Sequence, residues 1–163
     1  MQRVLGSLLA CLCAVVALAG PIAARSDAST ATTRATPRLT ATQARYGHRA
    51  VRATNAARAR NGRRGLHGGA CLERYAHAQA VRMARQQRMF HQALRPMMGA
   101  CHLTWAGENV AFGFPTGRAA VRGWLKSRPH RRNILSRHYG QVAVAAVRGT
   151  NGVWYASQVF GRH

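Results

Sequence analysis

The chain has very few acidic side chains, and the position of one of them constrains what the surrounding sequence can form. Its 163 residues include three acids, Asp27, Glu73 and Glu108, against 25 Lys and Arg, which gives a formal net charge of +22. Glu108 lies in GENVAFG, residues 107–113, where its neighbours are mostly apolar or small. A carboxylate in that setting is not simply a solvated surface acid. Together with WLKSRPHRRNIL at 124–135, this segment is the strongest signal in the sequence.

The first residues have the pattern of a secretory signal peptide, which we place at 1–24. Arg3 precedes an apolar run over 5–18, and small residues at 17–19 and 23–24 offer cleavage sites. The run is shorter than the ~20 residues that a transmembrane helix needs. We therefore expect a secreted, extracellular protein with no membrane span after signal cleavage. A retained membrane anchor is the alternative.

The composition divides the rest of the chain into a tether and one domain. Eight of the eighteen residues over 25–42 are Ser or Thr, and apolar anchors are nearly absent. Such a segment cannot bury enough surface to offset the entropy of ordering it. We predict a disordered Ser/Thr-rich tether at 25–44 and a single domain at 45–163. Nothing suggests an obligate assembly, so we expect a monomer.

Two cysteines remain once a signal peptide is removed. Cys11 and Cys13 would leave with the signal, whereas Cys71 and Cys101 stay, 30 residues apart. In an exported chain this pair favours one disulfide, which the chain-entropy model values at roughly 3–4 kcal/mol. Two buried free thiols or a metal pair are the alternatives, although the spacing is not that of a zinc site.

The basic residues are spread along the whole chain. Of the 25, all except Lys126 are arginine. One interpretation is a compositional bias toward arginine on a solvated surface. The other is nonspecific affinity for polyanions such as nucleic acid, anionic wall polymers or acidic lipid headgroups. No nucleic-acid motif is present and aromatic residues are few, so we predict no specific recognition of nucleic acid.

Periodicity and turn residues predict an α+β domain. We predict helices at about 42–59, 70–89 and 116–126, a strand or extended turn at 104–111, a short turn or helix at 133–135, and strands at 141–147 and 153–160. The stretch that contains Pro96, Gly99 and Cys101 is predicted to be irregular. Asn151 and Gly152 indicate a tight hairpin between the last two strands.

Several polar residues lie in apolar or turn contexts and are the candidates for a site. They are His91, Glu108, Asn109, Ser127, His130 and Asn133. Two imidazoles and a carboxylate can bind a divalent metal, perform acid–base chemistry or form a buried hydrogen-bonded cluster. Because 91, 108 and 130 lie on different elements, only the fold can bring them together.

Five groups of residues carry a resemblance to a known family. An Asn-x-x-Arg-x-x-x-Gly-x-x-x-Leu pattern spans 55–66, Phe90 and His91 follow the second helix, and GENVAFG and WLKSRPHRRNIL come next. The chain closes with Trp154-Tyr155 and Gln158–Gly161. In this order, over about 50–161, the domain resembles the CAP superfamily of cysteine-rich secretory, antigen 5 and pathogenesis-related 1 proteins (SCP-like extracellular proteins), in its bacterial branch.

The resemblance implies a three-layer α-β-α sandwich with a small, mostly antiparallel sheet and a cleft. The family cluster of two His and two acids would here be His91, His130 and Glu108, with Ser127 at the place of the second acid. Arg128 and Phe90 depart from the family pattern, so we expect the shape of the cleft to differ from that of the family. No cofactor is required on this interpretation, although zinc could bind to His91, Glu108 and His130.

The candidates have structural interpretations beside the functional ones. The triad can be a metal or ligand site, or a cluster that joins helices to the sheet, in which Glu108 would favour the charged forms of both imidazoles. Asn109 and Asn133 are interpreted as structural, satisfying backbone groups. Ser127 is interpreted as a cap or turn residue because no second carboxylate is placed to orient a base.

Three functions are consistent with these residues. The first is a secreted, non-catalytic module that binds a lipid, a cell-wall polymer or a protein. The second is a metal-dependent hydrolase, protease-like, that uses the same cleft. The third is a cationic adhesin for polyanions.

Overall fold

The described part of the chain, residues 39–163 of a computed structural model, contains five helices and three strands. In chain order they are α1 (Ala41–Arg60), α2 (Ala70–Gln86), α3 (Leu94–Ala100), β1 (Trp105–Phe112), α4 (Gly117–Lys126), α5 (Arg128–Leu135), β2 (Gln141–Arg148) and β3 (Trp154–Arg162). The predicted signal peptide and most of the predicted tether fall on residues 1–38 and lie outside the described residues.

Helix α1 begins inside the segment that composition assigned to the tether. The Thr40 hydroxyl accepts a hydrogen bond from the Gln43 backbone N–H, and the Gln43 side chain accepts one from the Thr40 backbone N–H. This reciprocal capping box satisfies two N–H groups that the first turn cannot pair internally. Residues 41–44 are therefore helical, because a run rich in Ser and Thr also supplies good N-caps.

The region between α2 and β1 differs from the prediction. Helix α2 ends at Gln86 rather than near 89, because Gln87 adopts a left-handed conformation with φ 49° and closes the last turn. The stretch predicted to be irregular contains α3. Pro96 is tolerated there because it lies in the first turn, where backbone N–H groups have no partner within the helix.

The three strands form one antiparallel sheet in the order β1-β3-β2. The predicted hairpin joins β2 to β3, with Gly152 at φ 76° in the turn. The segment predicted as a strand or extended turn at 104–111 is strand β1. It lies at one edge of the sheet, so its outer backbone groups depend on side chains for hydrogen bonds.

Helices cover both faces of this sheet, which confirms the α+β class and the three-layer arrangement. On one face, α1, α4 and α5 pack through residues such as Ala50, Trp124 and Ile134 against Phe160. On the other face, α2 and α3 pack through residues such as Leu72, Ala80 and Met97 against Val159. The polar cluster described below lies where the two helical layers meet at the β1 edge.

The Asn-x-x-Arg motif that begins at residue 55 joins α1 to the loop that follows it and to the end of α5. The Asn55 side chain exchanges two hydrogen bonds of 2.9 Å with the backbone of Leu66. Arg58 is 2% exposed, and its guanidinium donates to the carbonyl oxygens of Arg64, Ile134 and Ser136, each at 2.8 Å. A buried cation is thus satisfied entirely by backbone carbonyl groups, and it ties α1 to the end of α5.

Cys71 and Cys101 form a disulfide, as the sequence predicts. Their Cα atoms are 5.8 Å apart, which is within the usual range. The bond links the first turn of α2 to the residue that follows α3. The segment that carries His91 is therefore closed at both ends by a covalent cross-link.

Candidate functional site

Glu108 is the centre of the polar cluster. It lies three residues after the start of β1, is 6% exposed, and has its side chain on the sheet face that α2 and α3 cover. Its Oε2 accepts from the His91 ring at Nδ1 (2.8 Å) and from the Gln92 backbone N–H (3.1 Å). Its Oε1 accepts from the Gln92 side chain (2.8 Å) and from the Ser157 hydroxyl (2.9 Å). Four donors therefore occupy both carboxylate oxygens.

His91 lies in the segment without regular secondary structure between α2 and α3 and presents much of its ring to solvent. Its side chain is 58% exposed, while that of Glu108 is 2% exposed. The preceding residue is fixed because the Gln79 side-chain amide donates to the carbonyl oxygen of Phe90. With Nδ1 donating to the carboxylate, Nε2 has no hydrogen-bond partner among the described residues. The contact thus orients the imidazole and leaves one ring nitrogen available.

Gln92 and Ser157 complete the shell around Glu108, and sequence reasoning missed both. Gln92 follows His91 directly, so any turn that delivers His91 to the carboxylate also delivers its neighbour. Ser157 is fully buried in β3, a strand otherwise rich in apolar residues. A small hydroxyl in such a strand is the signal that could have indicated a buried hydrogen-bond partner.

Asn109 and Asn133 join α5 to the sheet. The Asn133 side-chain amide donates to the carbonyl oxygen of Glu108 (3.0 Å) and to Oδ1 of Asn109 (2.9 Å). Asn109 in turn donates to the carbonyl oxygen of His130 (3.2 Å) and to Oε1 of Gln158 (2.9 Å). These amides satisfy backbone groups of the β1 edge and of α5, and they fix the position of the helix turn that carries His130.

A tryptophan side chain covers the next outward-facing backbone carbonyl group of strand β1. The Trp124 indole N–H donates to the carbonyl oxygen of Val110 at 2.9 Å. Glu108 and Val110 are alternate residues of β1, so their outer carbonyl groups point the same way. Side chains of α4 and α5 thereby cover the edge at the site.

His130 approaches from α5, on the opposite helical layer from His91. Burial lowers the pKa of its imidazole, and the charge of His91 lowers it further. The expectation that Glu108 would favour the charged form is wrong for His130, because burial and the charge of His91 both favour its neutral form. At neutral pH the His130 ring is mostly neutral, which is the form that can accept a hydrogen bond or ligate a metal.

Ser127 lies at the junction of α4 and α5 and takes no part in the bonds around Glu108. It ends α4 and precedes the first residue of α5, in an extended conformation. Its side chain makes no hydrogen bond with any described residue. Pro129 lies in the first turn of α5, and this position explains why the helix starts well before the 133–135 stretch that the sequence predicted.

The geometry restricts how a metal ion could be held. Zinc sites usually have three or four protein ligands. In the part of the chain that the structure describes, no three His, Cys, Asp or Glu side chains are grouped to hold a metal ion. Both oxygens of Glu108 are already engaged by four donors. Glu108 orients the His91 ring through Nδ1, and the charge of His91 affects His130, so these two imidazoles are the candidate ligands.

Among the described residues, no helix combines the length and the apolar composition needed to cross a bilayer.

The sequence is similar to a described family and to curated bacterial proteins. The family model "CAP: Cysteine-rich secretory protein family" matches residues 51–160. The chain is 27% identical over 140 residues to the uncharacterized protein YkwD of Bacillus subtilis (strain 168), covering 81% of this chain and 54% of YkwD. It is 44% identical over 43 residues to the uncharacterized membrane protein YlbC of the same strain, covering 26% of this chain and 12% of YlbC. The chain spans about half, or less, of these relatives' lengths.

Solved bacterial structures share the fold. An extracellular protein containing a SCP domain from Bacillus anthracis superposes with a TM-score of 0.68 at 22% identity, over 78% of this chain and 45% of the other. An outer surface protein of Borrelia burgdorferi gives 0.64 at 15% identity, over 69% and 89%. A cysteine-rich secretory protein of Staphylococcus aureus gives 0.64 at 20%, over 78% and 42%. At these identities the likeness concerns the fold alone.

Proposed function

Because the chain belongs to the CAP (cysteine-rich secretory protein) family, we propose that it is an exported, non-catalytic module that acts outside the cell by binding a ligand around His91. The ligand classes that suit this module are a lipid, a cell-wall polymer and a protein. The signal-like pattern at 1–24 and the Cys71–Cys101 disulfide both support export, since disulfides persist in oxidising compartments.

The observation that carries the proposal is the saturation of the Glu108 carboxylate. A general base needs a lone pair within reach of the proton that it removes. Both oxygens of Glu108 already accept hydrogen bonds, from His91, Gln92 and Ser157. A hydrolase that used Glu108 as its general base would have to break this shell at each turnover. The same bonds serve binding well, because they hold an exposed imidazole in one orientation at no further entropic cost.

Ligand retention by the purified protein tests this proposal. We expect retention on at least one of purified cell-wall sacculi, phospholipid vesicles or an immobilised extracellular protein fraction. His91→Ala should weaken that retention at least fivefold, whereas His48→Ala, at an exposed position of α1, should not. Turnover of casein or of an ester substrate that Glu108→Gln abolishes in a folded protein would contradict the non-catalytic assignment.

Export has its own test. The mature protein recovered from the culture medium should begin at about residue 20 or 25, after one of the two cleavage sites, as read by N-terminal mass spectrometry. Recovery of uncleaved chain from the membrane fraction would instead support a retained anchor.

Metal binding is a second candidate, favoured by one contact. A metal-ligating histidine almost always donates its other ring N–H to a carboxylate or carbonyl group, and His91 does so through Nδ1 to Glu108. His91 and His130 would hold the ion, which would supply open coordination positions for a polar ligand. Isothermal titration with zinc should give a modest affinity that His91→Ala and His130→Ala each abolish. No heat and no rise in Tm would contradict this candidate.

A further inference from the structure

A cleft between α1 and α4 is lined by arginines and apolar side chains, and every polar residue of its lining is an arginine. It has a volume of about 370 Å³ and lies away from the polar cluster, since none of the residues around Glu108 lines it. Five arginines line it: Arg49, Arg52 and Arg60 from α1, and Arg118 and Arg122 from α4. Its apolar part is formed by Ala53 and Ala56 of α1 and by Val121 and Leu125 of α4.

These five arginines have no internal counter-charge. None of their guanidinium groups donates a hydrogen bond to, or forms an ion pair with, a described residue. The two acids in the described range are Glu73 in α2 and Glu108 in β1, and neither lines the cleft. The charges of the cleft are therefore available for a ligand, unlike that of Arg58, which backbone carbonyl groups satisfy.

The arrangement costs helix stability. Arg118 and Arg122 are four residues apart on α4, and like charges at that spacing destabilise a helix by roughly 0.2–0.5 kcal/mol. Arg118 also lies in the first turn of α4, a turn that has no acidic residue and whose dipole disfavours a cation. An anion bound in the cleft would remove both penalties.

The two charged walls are held side by side by a close helix contact. Gly117 packs against the backbone of Tyr46 and Ala50 so tightly that a Cβ atom there would clash. The first turn of α4 is thus fixed beside the middle of α1. The arginines of both helices consequently line the same cleft.

The spacing of the charges indicates a linear ligand with several anionic groups. From Arg49 to Arg60 the wall extends roughly 16 Å along the axis of α1, which is longer than a single phosphate. Arginine forks are suited to phosphate oxygens. No aromatic side chain lines the cleft, so the base stacking that single-stranded nucleic acids obtain from their binding proteins is absent. Ala53 and Ala56 leave room for short carbon segments between anionic groups.

We infer that the α1–α4 cleft binds a linear phosphodiester polymer of polyols, in which phosphates pair with the arginines and the polyol carbons lie over the two alanines. This site is separate from the His91 site, and its test does not depend on the proposed function of that site.

Binding of a glycerol phosphate oligomer to the purified protein tests the inference. Arg52→Gln/Arg122→Gln removes two cleft charges, and Arg74→Gln/Arg85→Gln removes two exposed charges from α2. Both pairs change the net charge equally, so a nonspecific attraction to a protein with a net charge of +22 should fall equally in both. We expect the cleft pair of substitutions to weaken binding at least tenfold. It should also reduce the slope of log binding constant against log salt concentration by about 1.4. The α2 pair should change affinity less than twofold, and both should keep the Tm of the wild type.

Three results would overturn the inference. If the cleft pair and the α2 pair of substitutions lose equal affinity, the attraction depends on net charge alone. A cleft-specific loss of the same size with oligothymidylate would assign the cleft to nucleic acid instead. The same loss with inorganic polyphosphate of equal charge would show that the polyol contributes nothing. The assignment is supported if the cleft pair of substitutions loses affinity for the glycerol phosphate oligomer and for neither of the other two polymers.

Discussion

The hydroxyl of Ser157 donates a 2.9 Å hydrogen bond to Oε1 of Glu108, diagonally across the β1–β3 pair. Ser157 is opposite Val110 in the register, and Glu108 is opposite Val159, so both polar side chains lie on the face that α2 and α3 cover. The strand contributes one donor to the buried carboxylate, and the His91–Gln92 segment contributes the other three. Glu108 therefore connects the sheet to a segment that has no regular secondary structure.

Replacing the carboxylate should destabilise the fold substantially. Glu108→Gln turns one acceptor oxygen into an NH₂ group that faces the existing donors, leaving buried polar groups unsatisfied. We expect the free energy of unfolding to fall by about 2–3 kcal/mol in urea denaturation. Glu73→Gln, at an exposed position in the first turn of α2, is the matched control and should cost less than about 0.5 kcal/mol. Equal effects would show that Glu108 is not a structural centre.

Arg58 should not tolerate a conservative change. Its guanidinium donates to three carbonyl oxygens on two separate segments, and a lysine ammonium cannot reproduce that planar geometry. Arg58→Lys should lower the free energy of unfolding by about 2 kcal/mol. Arg74→Lys, on the exposed face of α2, should be neutral. A stable Arg58→Lys protein with unchanged hydrogen-exchange protection at residues 134–136 would contradict this role.

Acid should destabilise the protein through two histidines. Burial lowers the pKa of both His77 and His130 below the ordinary value of 6.5. Below pH 6.5 the unfolded chain takes up protons at these positions before the folded chain does, so stability falls as the pH decreases; above it both states are neutral and the effect disappears. Urea midpoints at pH 7.5 and 5.5 should therefore differ less in His77→Gln and His130→Gln than in the wild type. His48→Gln, at an exposed position, should leave the difference unchanged.

Removing the disulfide should cost stability with little change in the folded structure. Cys71→Ser/Cys101→Ser frees a loop of 30 residues, which the chain-entropy model values at about 3–4 kcal/mol. Comparing the double variant with the oxidised wild type by denaturation measures this difference. If reduction with dithiothreitol lowers the Tm of the wild type but not that of the double variant, the loss belongs to the bond. A loss in both would point to another effect of the reductant.

The sequence was sufficient for the parts of the fold that depend on local patterns. Periodicity located α1, α2 and α4, and alternation with Asn151-Gly152 located the β2–β3 hairpin. The end of α2 was missed because Gln87, not a glycine, adopts the left-handed conformation. Helix α3 was missed because Pro96 reads as a helix breaker, whereas in a first turn it is compatible with a helix.

The candidate site was predictable by residue but not by role. The motifs named His91 and Glu108, and the structure brings these two into contact. Saturation of the carboxylate could not be foreseen, because it depends on Gln92 and on Ser157, which is 49 positions distant from Glu108 along the chain. The lowering of the His130 pKa could not be predicted either, because burial is a property of packing rather than of spacing along the sequence.

The Cys71–Cys101 bond makes the chain between α2 and the end of α3 a closed covalent ring, and His91 is a member of that ring while Glu108 is not. The exposed Arg88 lies three residues before His91, inside that ring. A trypsin-like protease that cuts the Arg88–Met89 bond would open the ring without dividing the molecule. In an extracellular setting the nicked protein would keep its mass on a non-reducing gel and release fragments only after reduction. Damage to the exposed half of the cluster would thus leave the protein chemically in one piece.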